Sequence, residues 1–200
     1  MSNFARAFRA TAPIDPAAVS AHLDQLIDNA FAGRLLIDRI AKLMSGSHRD
    51  FGRLGNLAPV VEGNMLEQAI KLLAAANPAM SVFADCKLPL YRSVLDRVKT
   101  TPASQLIIAT AAAGEAAKSQ YAPDLILVDQ MTGVALLVDI KRSLRSYESS
   151  RVTELRHRML AAGTMLPSLI RKSGNELAIH HVRVAILNLD APRSDIANGI

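Results

Sequence analysis

Asp124, Asp139 and Lys141 stand in the stretch YAPDLILVDQMTGVALLVDIKRS, residues 121–143, among apolar, sheet-forming neighbours. A charge in such surroundings is costly unless it is paired or bound to something. The run reads as two strands, 123–129 and 133–143, joined at Gln130-Met131-Thr132-Gly133, an ordinary hairpin loop. Pairing Asp129 with Val134 and counting back along the ladder sets Asp124 opposite Asp139, with side chains about 5 Å apart on one face. Two carboxylates so placed repel each other. A divalent cation between them removes the repulsion, and Mg²⁺, with Mn²⁺ as a substitute, prefers hard oxygen donors. Residues two apart on a strand share a face, so Lys141 and Ser143 point with Asp139, while Ile140 presents its backbone carbonyl between them. A lysine beside a metal can orient or deprotonate a water or stabilise a developing anion, and the cation makes water a better nucleophile at neutral pH. The set suits phosphodiester hydrolysis. It hangs on the register, since a slip of one residue sends the facing set to opposite sides.

The elements that must position these residues can be read on either side. Asp15-Pro16 offers a helix start, and Val19, Leu23, Leu26 and Ile27 recur at helical spacing. Leu35, Leu36, Ile40 and Leu43 give a second amphipathic helix ending near Ser45-Gly46-Ser47. The polar, Gly-rich run that follows marks a boundary, dividing an N-terminal helical extension, 1–57, from a second domain, 58–200. In that domain residues 62–76 read as a helix with a broad apolar face, and 80–90 as a strand. Residues 92–119 are ambiguous, with an Ala-rich run expected to be partly helical. The hairpin follows, then a long helix or two over 147–172, then a strand over 176–189 in which one of His180 and His181 is expected inside and the other outside. The fold class is α/β: a mixed sheet with the order helix, three strands, helix, strand (αβββαβ), flanked by helices.

At this point the residues carry a resemblance. Pro123-Asp124, fourteen intervening residues, then Asp139-Ile140-Lys141 resembles the PD-(D/E)XK nuclease superfamily, and the element order resembles its restriction-endonuclease-like core. The resemblance covers roughly residues 58–190. It implies that Asp124 and Asp139 bind Mg²⁺ with the carbonyl of Ile140, and that Lys141 is the catalytic base or water-orienting group. The family usually adds a Glu from the first helix. Here Glu62 and Glu67 compete, and GNMLEQAIKLL, similar to the first helix of archaeal Holliday junction resolvases, favours Glu67. The chain departs from the compact pattern in having about thirty residues between the first two strands. What the resemblance implies is a metal-dependent endo- or exonuclease acting on nucleic acid, DNA before RNA. The alternative is an inactive protein of the same fold that binds nucleic acid or assembles a complex.

Composition sets wider bounds. Half of the 200 residues are hydrophobic, aromatics are 4% and Trp is absent, so aliphatic residues must fill the core. The net charge of +5 leans towards a polyanionic partner. Arg145, Arg151 and Arg158 in the helix after the motif could line a basic side facing phosphates, and Gln120 and Tyr121 before the motif could touch the substrate. The single cysteine, Cys86, cannot form an internal disulfide and reads as a small buried hydrophobe. The five histidines show no H-x-x-x-H spacing, which argues against zinc. No run approaches a membrane span and the start lacks a long apolar segment, so the expected setting is the cytoplasm, without membrane contact. The N-terminal helices are expected to serve a homodimer, a substrate or a protein partner.

Overall fold

The computed structural model describes residues 15–32, 63–102, 114–141, 143–144 and 147–188. The second expected helix of the extension, Glu62 and Arg145 lie outside the described residues. Cα packing divides the chain into two units: residues 10–78 form one, and residues 79–200 with residues 1–9 form the other.

The smaller unit contains helix α1, Pro16–Ala32, and helix α2 over 63–75. The Asp15 carboxylate accepts the Ala17 N–H at 3.0 Å, as an acid ahead of a helical Pro is expected to do. Both helices keep every described side chain at least partly exposed; Leu73 on α2 is 51% exposed.

The larger unit runs β1 (Met80–Ala84), β2 (Leu88–Leu90), α3 (Arg92–Thr100), β3 (Ser119–Tyr121), β4 (Leu125–Asp129), β5 (Val134–Lys141), α4 (Ser149–Lys172) and β6 (His181–Asn188). It is mixed α/β. Four strands form one sheet in the order β1-β4-β5-β6, antiparallel except for the parallel β5–β6 pair. The long helix α4 makes the crossover that a parallel pair requires.

The strand expected over 80–90 is two strands in different sheets. Asp85 adopts a left-handed backbone, φ 56°, which ends β1, and the chain re-enters as β2, pairing with β3 in a separate two-stranded sheet. Asp tolerates that conformation better than most residues. In the ambiguous segment, RSVLDRVKT forms α3, which buries Val94 and Val98. Most of the Ala-rich run lies outside the described residues, and its end, 115–118, is not helical. The region over 147–172 is a single helix that continues through Pro167. His180 and His181 are both exposed, because the sheet begins only at His181 and β6 is an edge strand with an open first half.

The core lies between the sheet and α4. Strand alternation puts Phe83, Ile126, Leu137 and Ile186 on one face, where they meet Met159, Ala162, Leu166 and Ile170. Cys86 joins this cluster at 1% exposure. Burying a Leu, Ile or Phe side chain contributes about 1.5–3 kcal/mol each, so this interface is a main source of the unit's stability.

The hairpin register is set at its turn. Asp129 pairs with Val134, and the ladder runs to Leu125 opposite Val138. Asp129 Oδ1 accepts the Met131 N–H at 2.8 Å and Oδ2 accepts the Thr132 hydroxyl at 2.8 Å. Those bonds, Thr132 first, hold the Asp129 carboxyl below its usual pKa. Gly133 closes the turn with φ 66°, and a Cβ there would meet His180 Cδ2 at 2.5 Å and the Ala178 carbonyl at 2.8 Å.

Candidate active site

One step beyond the last ladder pair, the register that aligns Leu125 with Val138 sets Asp124 across from Asp139. Both belong to the sheet face that carries Ile126 and Leu137, the face covered by α4. Asp124 also completes the ladder with its side chain: Oδ2 accepts the Ile140 N–H at 2.5 Å. Burial raises the Asp124 pKa; the Ile140 bond opposes it, and the neighbouring Asp139 charge adds to it.

Asp139 is 4% exposed, and the position is tolerable because both of its oxygens are engaged. Lys141 donates to Oδ1, and the Tyr121 hydroxyl donates to Oδ2 at 2.8 Å. Lys141 also donates to the Ile140 carbonyl at 3.3 Å. Burial acts to lower the Lys141 pKa, but the bond and charge of Asp139, with Asp124 and Tyr147 behind them, outweigh it and raise it. Tyr121 is shifted upward by burial first and by the Asp139 charge second, so it stays a neutral donor.

The Tyr121 ring is held in turn by α4. Arg158 lies 5.7 Å above its centroid and donates to the Gln120 carbonyl at 3.0 Å. β3 therefore delivers Tyr121 to Asp139, while the Gln120 side chain is exposed. Arg151 stands two turns before Arg158, exposed and on the same side of the helix. Glu67 belongs to α2, in the unit of residues 10–78.

Tyr121, read from the sequence with Gln120 as a residue that could touch the substrate, donates its hydroxyl to Asp139. Asn188 was not singled out by the sequence. It is the register partner of Lys141 on β6, on the face shared with Ile186, and its Oδ1 is buried with no hydrogen-bond partner among the described residues. Its signal was an amide inside the apolar run AILNL.

Asp124, Asp139 and the Ile140 carbonyl offer oxygen donors alone, the chemistry that Mg²⁺ and Mn²⁺ take. A cation already suits two of these positions, because the Lys141 ammonium touches both Asp139 Oδ1 and the Ile140 carbonyl. The donor types suit such a metal, while both Asp139 oxygens and Asp124 Oδ2 already hold protein partners. Among the described residues no group of three or more His, Cys, Asp or Glu gathers in one place. No helix among them is long and apolar enough to cross a membrane. Comparison with protein-family models, curated proteins and solved structures finds no match to this chain.

Proposed function

We propose that the chain hydrolyses nucleic-acid phosphodiester bonds with a divalent cation held by Asp124, Asp139 and the Ile140 carbonyl. One observation carries this reading: the hairpin register sets two carboxylates across from each other at the end of a ladder, with Lys141 on the same face. The preference for DNA over RNA rests on the resemblance of Pro123-Asp124 and Asp139-Ile140-Lys141 to the nuclease motif. When bound, the cation supplies Lewis-acid stabilisation of a phosphoryl oxygen and a more acidic water. Asp124 and Asp139 hold their oxygens in place, the first through the Ile140 N–H and the second through the Tyr121 hydroxyl. Lys141 orients the attacking water or stabilises the negative charge that builds on phosphorus.

A second reading has its own support. Both acids also serve the fold, since Asp124 closes the ladder and Asp139 neutralises Lys141. That arrangement also suits a nucleic-acid-binding or complex-assembling protein that performs no hydrolysis. The deciding experiment incubates the purified protein with single-stranded, double-stranded and branched DNA, with Mg²⁺ or Mn²⁺ and with EDTA. Hydrolysis predicts cleavage that needs the metal and falls by at least about 100-fold in Asp139→Ala and Lys141→Ala. If the wild type cuts nothing, or the variants cut equally well, the enzymatic reading is wrong. DNA retention without cleavage then favours the second.

A further inference from the structure

A groove of about 780 Å³ lies beside the candidate site, between α3, the β2–β3 pair and the first turns of α4. Lys99 from α3, Lys118 from the approach to β3 and Arg158 from α4 line it, with Ser149, Ser150 and Thr153 supplying hydroxyls. Glu154 is the one acid in its lining. A second depression of about 340 Å³ continues it, sharing Lys99, Thr153 and His157 and adding Arg156. Neither Lys99 nor Lys118 forms an ion pair with a described residue, and both are exposed. The cations come from three separate elements, which a single solvated helix face would not produce.

One side chain, Arg158, connects the groove to the acids. It lines the groove and also lies over Tyr121, whose hydroxyl donates to Asp139. A polyanion with one phosphate at Asp139 would meet these cations with the phosphates that follow. We propose that this groove binds the sugar–phosphate backbone of the nucleic acid next to the bond to be cut, with Lys99 and Lys118 as phosphate contacts. The assignment rests on the nuclease reading for the identity of the polymer, but its test does not need cleavage.

Binding of fluorescently labelled single-stranded and duplex DNA is measured in EDTA over a series of salt concentrations, using the full chain. Neutralising one phosphate contact lowers the magnitude of the slope of log K against log salt by about 0.9 on duplex and about 0.7 on a single strand. Lys99→Gln and Lys118→Gln are each expected to show that loss. Lys172→Gln, an equal charge change at the far end of α4, is expected to keep the wild-type slope. Unchanged slopes in both groove variants overturn the proposal, even if the protein cleaves. A slope loss in a protein that never cleaves upholds the groove and rejects hydrolysis. If calorimetry shows that inorganic phosphate or a mononucleotide loses binding in the groove variants while DNA binding does not change, the groove serves small phosphates and the proposal fails.

Discussion

Asp139 is the residue on which the site turns, and its two partners come from opposite directions. Lys141 reaches it along its own strand, which period two made legible from the sequence. Tyr121 reaches it from the separate β2–β3 pair, a pairing that no local pattern announces. Removing the Tyr121 hydroxyl leaves Asp139 Oδ2 buried without its donor. A hydrogen bond to a charged group is worth about 1.5–3 kcal/mol, so Tyr121→Phe should lower unfolding stability by that amount in urea titration. An unchanged midpoint would show that the bond contributes nothing. Asn188 makes the opposite case. Its buried Oδ1 has no described partner, so Asn188→Leu, which removes the polar group and keeps the volume, should leave stability unchanged or raise it. A clear loss in the same titration would mean that the amide is engaged after all.

At the scale of elements, the hairpin was the most legible part because a short loop and strand alternation together leave few registers. The β1–β2 break was not legible. It depends on Asp85 taking a positive φ, and nothing in VFADCKL distinguishes that from a continuing strand. The turn itself makes two predictions. Gly133→Ala places a methyl where the backbone is left-handed and the Ala178 carbonyl is 2.8 Å away. Such a change should cost more than about 1 kcal/mol and lower the midpoint of thermal unfolding. Asp129 has a folded pKa below its ordinary value of 3.8. Its contribution is present above that value and is lost as pH falls through the lower, folded pKa. The acid limb of stability against pH should therefore be shallower in Asp129→Ala than in the wild type. Asp124 acts in the reverse sense, since its raised pKa favours the folded state on the acid side and loses that effect as pH rises. Parallel acid limbs in the two proteins would contradict the role given to Asp129.

For the whole molecule, Cα packing draws the line between two units at Pro78, beyond α2. Helical periodicity identifies an apolar face and does not reveal which neighbour covers it. Among the described residues, the buried cluster draws its members from Phe83 to Ile186. A fragment of residues 79–200 should therefore unfold cooperatively on its own, as a single calorimetric transition. The same fragment lacks Glu67, so metal-dependent cleavage by it would reject the Glu67 role that the nuclease resemblance implies.

The clamp on the β4–β5 turn bears on the order in which the chain assembles. A hairpin is the most local contact a sheet can make and closes within about 1–10 μs, whereas a parallel pair waits for a distant crossover. The two acids are therefore expected to meet early, before β6 has been threaded back past α4. That encounter would be a repulsive one but for Lys141, which is built into the same strand and neutralises Asp139 without help from any later element. When residues 178–180 arrive, they close on Gly133 and lock a pairing already made. Charge balance at the site is thus a property of the nascent hairpin, and the late-arriving strand seals the arrangement without having created it.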